Sequence, residues 1–146
     1  MILISHRANL NGPDKKRENN PKFISKVLNK GYNCEIDVWR VGNFFYLGHD
    51  KPQYKTTETF LCNHGLWLHA KNIEALWKLR QMNLNVFWHE TDTVTITNKG
   101  YLWYFPSNMV YNDGIILFPE KYGITGEKLM ENHVIGICSD YIGKYK

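Results

Sequence analysis

The sequence predicts an α/β protein that is built on parallel βα units within one domain. Segments typical of strands and helices alternate through the first half of the chain, as they do in βα units. Polar residues that can carry chemistry follow several predicted strands, where a parallel sheet places its functional site. The length, residues 1–146, suits a single domain with a single core.

The first strand, helix and hairpin have clear start and stop signals. Residues 2–4 are apolar and run into a polar loop, which predicts a strand. Asn20 before Pro21 starts a helix over residues 21–30, whose apolar side chains share one face. An alternating strand follows, and a Gly-Asn turn returns the chain as a second hairpin arm. The two arms are residues 34–39 and 44–47.

The rest of the chain is predicted to be rich in strands. Residues 66–69 and 85–88 are apolar, and Asn72 can cap an amphipathic helix between them. Further strands are predicted at residues 94–97, 101–105, 114–118 and 134–138, with a short helix near residues 126–132.

Composition and charge narrow the class of function. Apolar residues make up 43% and charged residues 22% of the chain, as in average soluble proteins, which excludes a disordered or fibrous protein. The net charge is +4, but the only basic run is residues 15–17. We therefore expect no nucleic-acid partner, whereas a small anionic substrate fits the charge.

The cysteine count and the hydropathy predict the cellular compartment. Three irregularly spaced cysteines argue against a disulfide framework and favour the reducing cytoplasm. The N-terminal segment lacks the basic and long apolar parts of a signal peptide. Because no stretch approaches the roughly 20 apolar residues of a membrane span, we expect a cytoplasmic protein without one.

Glu35 and Asp37 stand two residues apart on an otherwise apolar strand, so their side chains share one face. If that face is interior, a divalent cation or a basic partner must compensate the two charges. Oxygen ligands favour magnesium, calcium or manganese. The alternative is that both carboxylates face solvent.

His6 and His49 each follow an apolar strand and precede a charged residue. Histidine titrates near neutrality and can act as a general acid or base, although either residue alone could equally be structural. Arg7 and Lys71 supply two cations near predicted strand ends, which suits a phosphate group. Together these residues meet the requirements for cleaving a phosphodiester.

The order of these residues resembles the opening of the glycerophosphodiester phosphodiesterase family, within the phospholipase C-like phosphodiesterase superfamily. That opening reads HRG, PEN, ExDV and HD. The matching segments are His6-Arg7, Glu18-Asn19, Glu35-Ile36-Asp37-Val38 and His49-Asp50, with weaker matches at Leu68-His69-Ala70-Lys71 and at residues 136–141. Ala8 replaces the family's glycine after His-Arg, and Arg17 replaces its proline before Glu18.

The resemblance implies a role for each matching residue. The family roles are catalysis for His6 and His49, metal binding for Glu35 and Asp37, and phosphate binding for Arg7 and Lys71. Glu18 would orient Arg7 or the metal ligands, and Glu18 and Asp50 would lie behind the groups in direct contact. The metal implied is Mg²⁺ or Ca²⁺.

His69 stands where the family has its third metal-ligand glutamate. An imidazole ligand makes Mn²⁺ or Zn²⁺ possible, or else weakens metal binding. His89, with Glu90 and Asp92, could form a separate metal corner, but we expect His89 to supply hydrogen bonds to the substrate. Ser139 and Asp140 either line the same rim or cap the last turn.

The fold implied by the resemblance is a TIM-type (β/α) barrel, which typically takes about 250 residues. A chain of 146 residues with few helices would be a compact, reduced barrel of the phospholipase C-like type with few outer helices, or else an open sheet. A reduced barrel would expose apolar outer faces, such as that of residues 101–105, which a homo-oligomer could cover.

The function implied is metal-assisted hydrolysis of a phosphoric diester by a His/His acid/base pair, in lipid metabolism. The substrate would be a small glycerophosphodiester-like molecule or a sugar or polyol phosphodiester. Two alternatives remain, which are a lyase releasing a cyclic phosphate from the same site, and a degenerate module that only binds phosphate or sugar phosphate.

Overall fold

The computed structural model describes residues 1–105 and 113–146. In these residues the strands are β1 (Ile2–His6), β2 (Asn33–Val41), β3 (Phe44–Leu47), β4 (Tyr54–Thr56), β5 (Leu66–Ala70), β6 (Val86–Phe87), β7 (Val94–Ile96), β8 (Leu102–Tyr104), β9 (Gly114–Leu117) and β10 (Gly136–Ser139). The α-helices are α1 (Pro21–Asn29), α2 (Glu58–Leu61), α3 (Ile73–Gln81) and α4 (Gly126–Glu131), and two 3₁₀ turns span Pro119–Tyr122 and Ile142–Tyr145.

The described strands form one mixed sheet. Seven strands run parallel in the order β6-β5-β2-β1-β10-β9-β8. Three pairs are antiparallel, namely β2 with β3, β3 with β4, and β7 with β8. The long strand β2 pairs with β1 through its first residues and with β3 through its last ones, so it lies at the centre of the sheet.

The prediction of a reduced TIM-type barrel is wrong, because the strands form an open, curled half-barrel with only four α-helices in the described residues. Only residues 88–93 link β6 to β7. A parallel pair needs a crossover of about a dozen residues or more, so this link cannot continue the βα pattern. β7 turns back against β8 instead, and no ladder joins it to β6 among the described strands.

Backbone and side-chain hydrogen bonds bridge the two facing edges along a line that we call the seam, formed by Val86, Trp88, Thr95 and Asn98. The Asn98 amide donates to the Val86 carbonyl at 2.9 Å, and Asn98 Oδ1 accepts from the Val86 amide at 2.9 Å. Thr95 Oγ1 donates to the Trp88 carbonyl at 2.8 Å. The curl of the sheet thus brings β6 beside β7 without extending the ladder.

The core lies on both faces of the curled sheet. On the concave face, Trp67 of β5 contacts Trp103 of β8 with ring centroids 5.7 Å apart, although four strands separate them in the sheet order. On the convex face, buried residues such as Ile24, Val27 and Leu79 pack the helices against the sheet.

The helix predictions over residues 21–30, after Asn72 and near residues 126–132 are confirmed. Asn20 accepts a hydrogen bond from the Lys22 amide, and Asn72 accepts one from the Ala75 amide. Asn72 also bonds both backbone groups of Arg40, which ties α3 to the end of β2. The sequence did not predict α2 or β4, which are short and weakly patterned.

The expectation of no disulfide framework agrees with the structure, where Cys34, Cys62 and Cys138 are all free thiols. Among the described helices none has the length and apolar character that crossing a membrane requires.

Candidate active site

A cleft of about 530 Å³ opens where several parallel strands end. Most of the residues predicted from the sequence meet in it. They are His6 and Arg7 at the end of β1, Glu35 on β2, His69 and Lys71 at the end of β5, Glu18, His49 and His89 on loops, and Asp140 after β10. Asp37 is buried and does not line the cleft, and Asp50 lines a smaller neighbouring cleft of about 340 Å³.

Glu35 and Asp37 point into the protein, which agrees with the interpretation in which their shared face is interior. Glu35 is 3% exposed and Asp37 is 0% exposed. The interpretation in which both face solvent is therefore wrong. Both side chains lie on the same face of β2, because residues two apart in a strand share a face.

Asp37 is surrounded by hydrogen-bond donors and cations. Its Oδ2 atom accepts from Asn19 Nδ2 at 2.8 Å and lies 2.9 Å from Arg7 Nε. Its Oδ1 atom lies 3.1 Å from His69 Nδ1 and 3.6 Å from Lys71 Nζ. Burial alone would raise the pKa of Asp37, but the hydrogen bond with His69 and the charge of Arg7 hold the pKa below its ordinary range.

Glu35 has the opposite environment. Its Oε2 atom is buried without a hydrogen-bond partner among the described residues, and the nearest ring nitrogen is His6 Nε2 at 3.8 Å. Burial, together with repulsion from Asp37, raises the pKa of Glu35 well above its ordinary value. The charges of Arg7 and Lys71 oppose this rise without reversing it, so a divalent cation would supply further compensation.

Glu35, Asp37 and His69 could hold a metal ion, since one ligand atom from each lies within 4.8 Å of the others. His69 Nε2 lies 3.4 Å from the His89 carbonyl. When Nε2 carries the proton towards that carbonyl, the Nδ1 lone pair faces the carboxylates, as a metal ligand requires. The predicted alternative corner of His89, Glu90 and Asp92 forms no such group in the described chain.

His6 is held by Asp140 at 2.7 Å between Nδ1 and Oδ1. The ring stands edge-on to Phe118, and its Nε2 atom faces Glu35. Burial lowers the pKa of His6 even though the bond to Asp140 opposes this shift. The imidazole is thus neutral at pH 7, with Nδ1–H pointing to the carboxylate and the Nε2 lone pair pointing into the cleft.

His49 lies apart from this cluster, on the loop that joins β3 to β4. Its side chain is 43% exposed, and Nδ1 lies 2.6 Å from Asp50 Oδ1. Gly48 makes the loop possible, because its φ of +148° and the nearby Lys51 carbonyl leave no room for a side chain. His49 therefore reaches the mouth of the cleft, whereas His6 lies within it.

The far wall of the cleft is aromatic. His69 stacks on His89 with centroids 4.6 Å apart and on Phe87 at 5.2 Å, and His89 also contacts Phe105. Burial, with the nearby charges of His69 and Lys71, lowers the pKa of His89 to about 4. The His89 side chain in this wall is therefore uncharged near neutral pH. Trp103 is buried and stacks on Phe87, and both residues line the cleft.

Strained backbone is concentrated at this site. Four residues around it have φ between +51° and +75° although they are not glycine, namely Arg7, Ala8, Asn19 and Phe118. Such conformations persist only where surrounding contacts enforce them, and they cluster at functional sites. Ala8 stands where the family pattern has glycine, which is the residue that this φ favours.

Sequence reasoning missed two residues that organise the site. Asn9 donates from Nδ2 to Glu18 at 3.0 Å and to Asp140 at 2.8 Å. Asn19 forms two hydrogen bonds with Asp37. Its Nδ2 donates to the Asp37 carboxylate at 2.8 Å, and its Oδ1 accepts from the Asp37 amide at 2.9 Å. The only available signal was position, because Asn19 follows Glu18 in the family-like segment.

The site combines a neutral imidazole oriented by a carboxylate, a set of three metal-ligating side chains and two cations in one cleft. Such a combination can take a proton from a nucleophile and neutralise a phosphate. No protein-family model, curated protein or solved structure matches this chain.

Proposed function

We propose that the chain is a metal-assisted phosphoric diester hydrolase acting on a glycerophosphodiester-like or sugar or polyol phosphodiester. The observation that carries the proposal is the position of His6, whose Nε2 lies 3.8 Å from an unpartnered Glu35 oxygen while Asp140 holds its Nδ1. A base and a candidate metal-ligand group thus face the same cleft.

In this proposal His6 is the general base. Asp140 keeps the proton on Nδ1 and stabilises the imidazolium that forms, so Nε2 can accept a proton from water or from a neighbouring substrate hydroxyl. The lowered pKa keeps His6 in the neutral form that a base requires.

Arg7 and Lys71 bind the non-bridging phosphate oxygens. Both already lie against Asp37, at 2.9 Å and 3.6 Å, so the carboxylate holds them at the cleft. His49 protonates the leaving oxygen, and Asp50 orients its ring. The exposed position of His49 suits a residue that approaches the leaving group from the mouth of the cleft.

Glu35, Asp37 and His69 would hold the metal. A divalent cation supplies a Lewis acid that neutralises phosphate charge and activates an oxygen nucleophile. The carboxylates suit Mg²⁺ or Ca²⁺, and the imidazole adds Mn²⁺ and Zn²⁺ to the candidates. The unpartnered Glu35 oxygen is the feature of this chain that fits such an ion.

We also propose a cytoplasmic location. The three free thiols support it, because oxidising compartments favour paired cysteines.

A screen of phosphodiesters with and without added divalent metals tests the proposal. We expect cleavage that needs metal and is lost in His6→Ala but kept in His64→Ala, a matched change at an exposed histidine outside the cleft. Phosphorus NMR of the products separates hydrolysis, which gives a monoester, from a lyase, which gives a cyclic ester. Absence of cleavage under every condition would favour a module that only binds phosphate.

A further inference from the structure

Two cations of the cleft are not used by the proposed chemistry. Arg7 and Lys71 are paired with Asp37, but Lys15 and Lys121 line the cleft without a carboxylate partner within 4.0 Å in the described part of the chain. In the proposed chemistry Arg7, Lys71 and a metal contact the phosphate group. Lys15 and Lys121 are therefore available to a further anionic group of the substrate.

Lys121 is fixed in place by the turn that carries it. Glu120, its neighbour, accepts a hydrogen bond from Ser139 Oγ at 2.8 Å, which anchors the turn on β10. Phe118 begins the turn with φ +51°, and its amide donates to the Cys138 carbonyl at 2.8 Å. The Lys121 ammonium lies 3.7 Å from the Phe118 ring centroid, in a cation–π contact.

The sheet order puts Lys121 and Lys71 on opposite sides of His6. The strands run β5, β2, β1, β10, β9, with Lys71 after β5, His6 on β1 and Lys121 after β9. Lys121 lines the same cleft as Asp140, which holds His6. A substrate that spans the cleft from Lys71 to Lys121 therefore passes His6.

We infer that the substrate carries a second anionic group, a carboxylate or a phosphomonoester, on the alcohol that lies towards Phe118 and Lys121. This inference rests on the proposed hydrolase function and names its substrate class. A quaternary ammonium group, which aromatic walls otherwise attract, is disfavoured there because Lys121 already covers the Phe118 ring.

Three matched 4-nitrophenyl phosphodiesters test the inference, in which the second alcohol is 3-hydroxypropanoate, 3-hydroxypropyl phosphate or the uncharged 3-hydroxypropanamide. We expect kcat/KM to be at least about ten-fold higher for one or both charged diesters than for the amide. A hydrogen bond between charged groups contributes an affinity difference of this size. The two charged arms separate carboxylate from phosphate recognition.

Lys121→Met should remove this preference, whereas Lys121→Arg should keep it. Lys128→Met, on exposed α4, is the matched control and should behave as the parent protein does. Circular dichroism checks the fold, and Lys121→Gln replaces Lys121→Met if the latter is unfolded.

Isothermal titration calorimetry of the same three diesters with His6→Ala measures the charge preference as a difference in binding affinity, without turnover. Cleavage of all three at equal rates, or a preference that survives in Lys121→Met, would overturn the inference while the hydrolase proposal stands. Selective binding without any cleavage by the parent protein would support the anion site and contradict the hydrolase.

Discussion

At the scale of single residues, two carboxylates on one face of β2 have opposite electrostatic environments. Arg7, His69 and Lys71 lie within 3.6 Å of Asp37. The side-chain nitrogens that approach Glu35 in the described residues are those of His6 and His69, at 3.8 and 3.9 Å. The sequence predicted that the two would share a face, because the period of a strand is local information. It could not predict which one would be compensated, since the compensating groups come from other elements.

Replacing Glu35 by Gln should stabilise the metal-free protein. The amide removes a buried carboxylate whose pKa is raised by burial and by Asp37, so we expect the free energy of unfolding to rise by about 1–3 kcal/mol. Thermal unfolding with and without Mn²⁺ measures the effect, and the metal should stabilise the parent protein but not the variant. Glu127→Gln on exposed α4 is the control. A lower melting temperature for metal-free Glu35→Gln would contradict this account of Glu35.

Replacing Asp140 by Asn should slow turnover without unfolding the protein. The amide oxygen can still accept from His6 and Asn9, but it no longer stabilises the imidazolium, so we expect kcat to fall about ten- to a hundred-fold. Because the Asp140 charge raises the pKa of His6, its loss lowers that pKa. The acid limb of the rate profile, where His6 becomes protonated and inactive, should therefore move to lower pH. Asp113→Asn, at an exposed turn before β9 that does not line the cleft, should change neither quantity.

At the scale of elements, the strength of local signals decides what the sequence could predict. α1 and α3 were predicted with their caps, because Asn20 and Asn72 act on amides two and three residues away. The β2–β3 hairpin was predicted from its Gly-Asn turn. The longer loop between β3 and β4 has no such signature, although it carries His49.

Replacing Gly48 by Ala should distort this loop. The added carbon would meet the Lys51 carbonyl at a φ of +148°, so we expect the protein to lose about 1–3 kcal/mol of stability and His49 to be displaced. Chemical denaturation measures the loss. Gly126→Ala is the control, since that glycine begins α4 with open space around it and an ordinary φ. Equal stability of Gly48→Ala and the parent protein would show that the loop tolerates a side chain.

At the scale of the whole molecule, the sequence did not predict contacts between residues that lie far apart along the chain. His6 and Asp140 are 134 residues apart, and no local pattern pairs them. Parallel βα units were predicted from alternation, and the first half has them. Whether the sheet closes depends on the short link after β6 and on how β7 turns, which the family resemblance could not supply.

Replacing Asn98 by Ala should weaken the contact between the sheet edges. The change removes the acceptor of the buried Val86 amide, and an unpaired buried amide costs about 1–3 kcal/mol. Urea denaturation measures the loss, and proteolysis near residues 88–98 should accelerate. A variant with unchanged stability and unchanged proteolysis would show that the seam contributes nothing.

The seam also determines the order in which the fold opens. Amides of β1, β2 and β10 lie in strands with ladder neighbours on both sides, so their hydrogen exchange should require global unfolding. The amides of Val86 and Asn98 should exchange through local opening, because only a few hydrogen bonds hold them. His6 and Glu35 belong to the slowly exchanging strands. The protein can therefore open at the seam while its candidate site remains assembled.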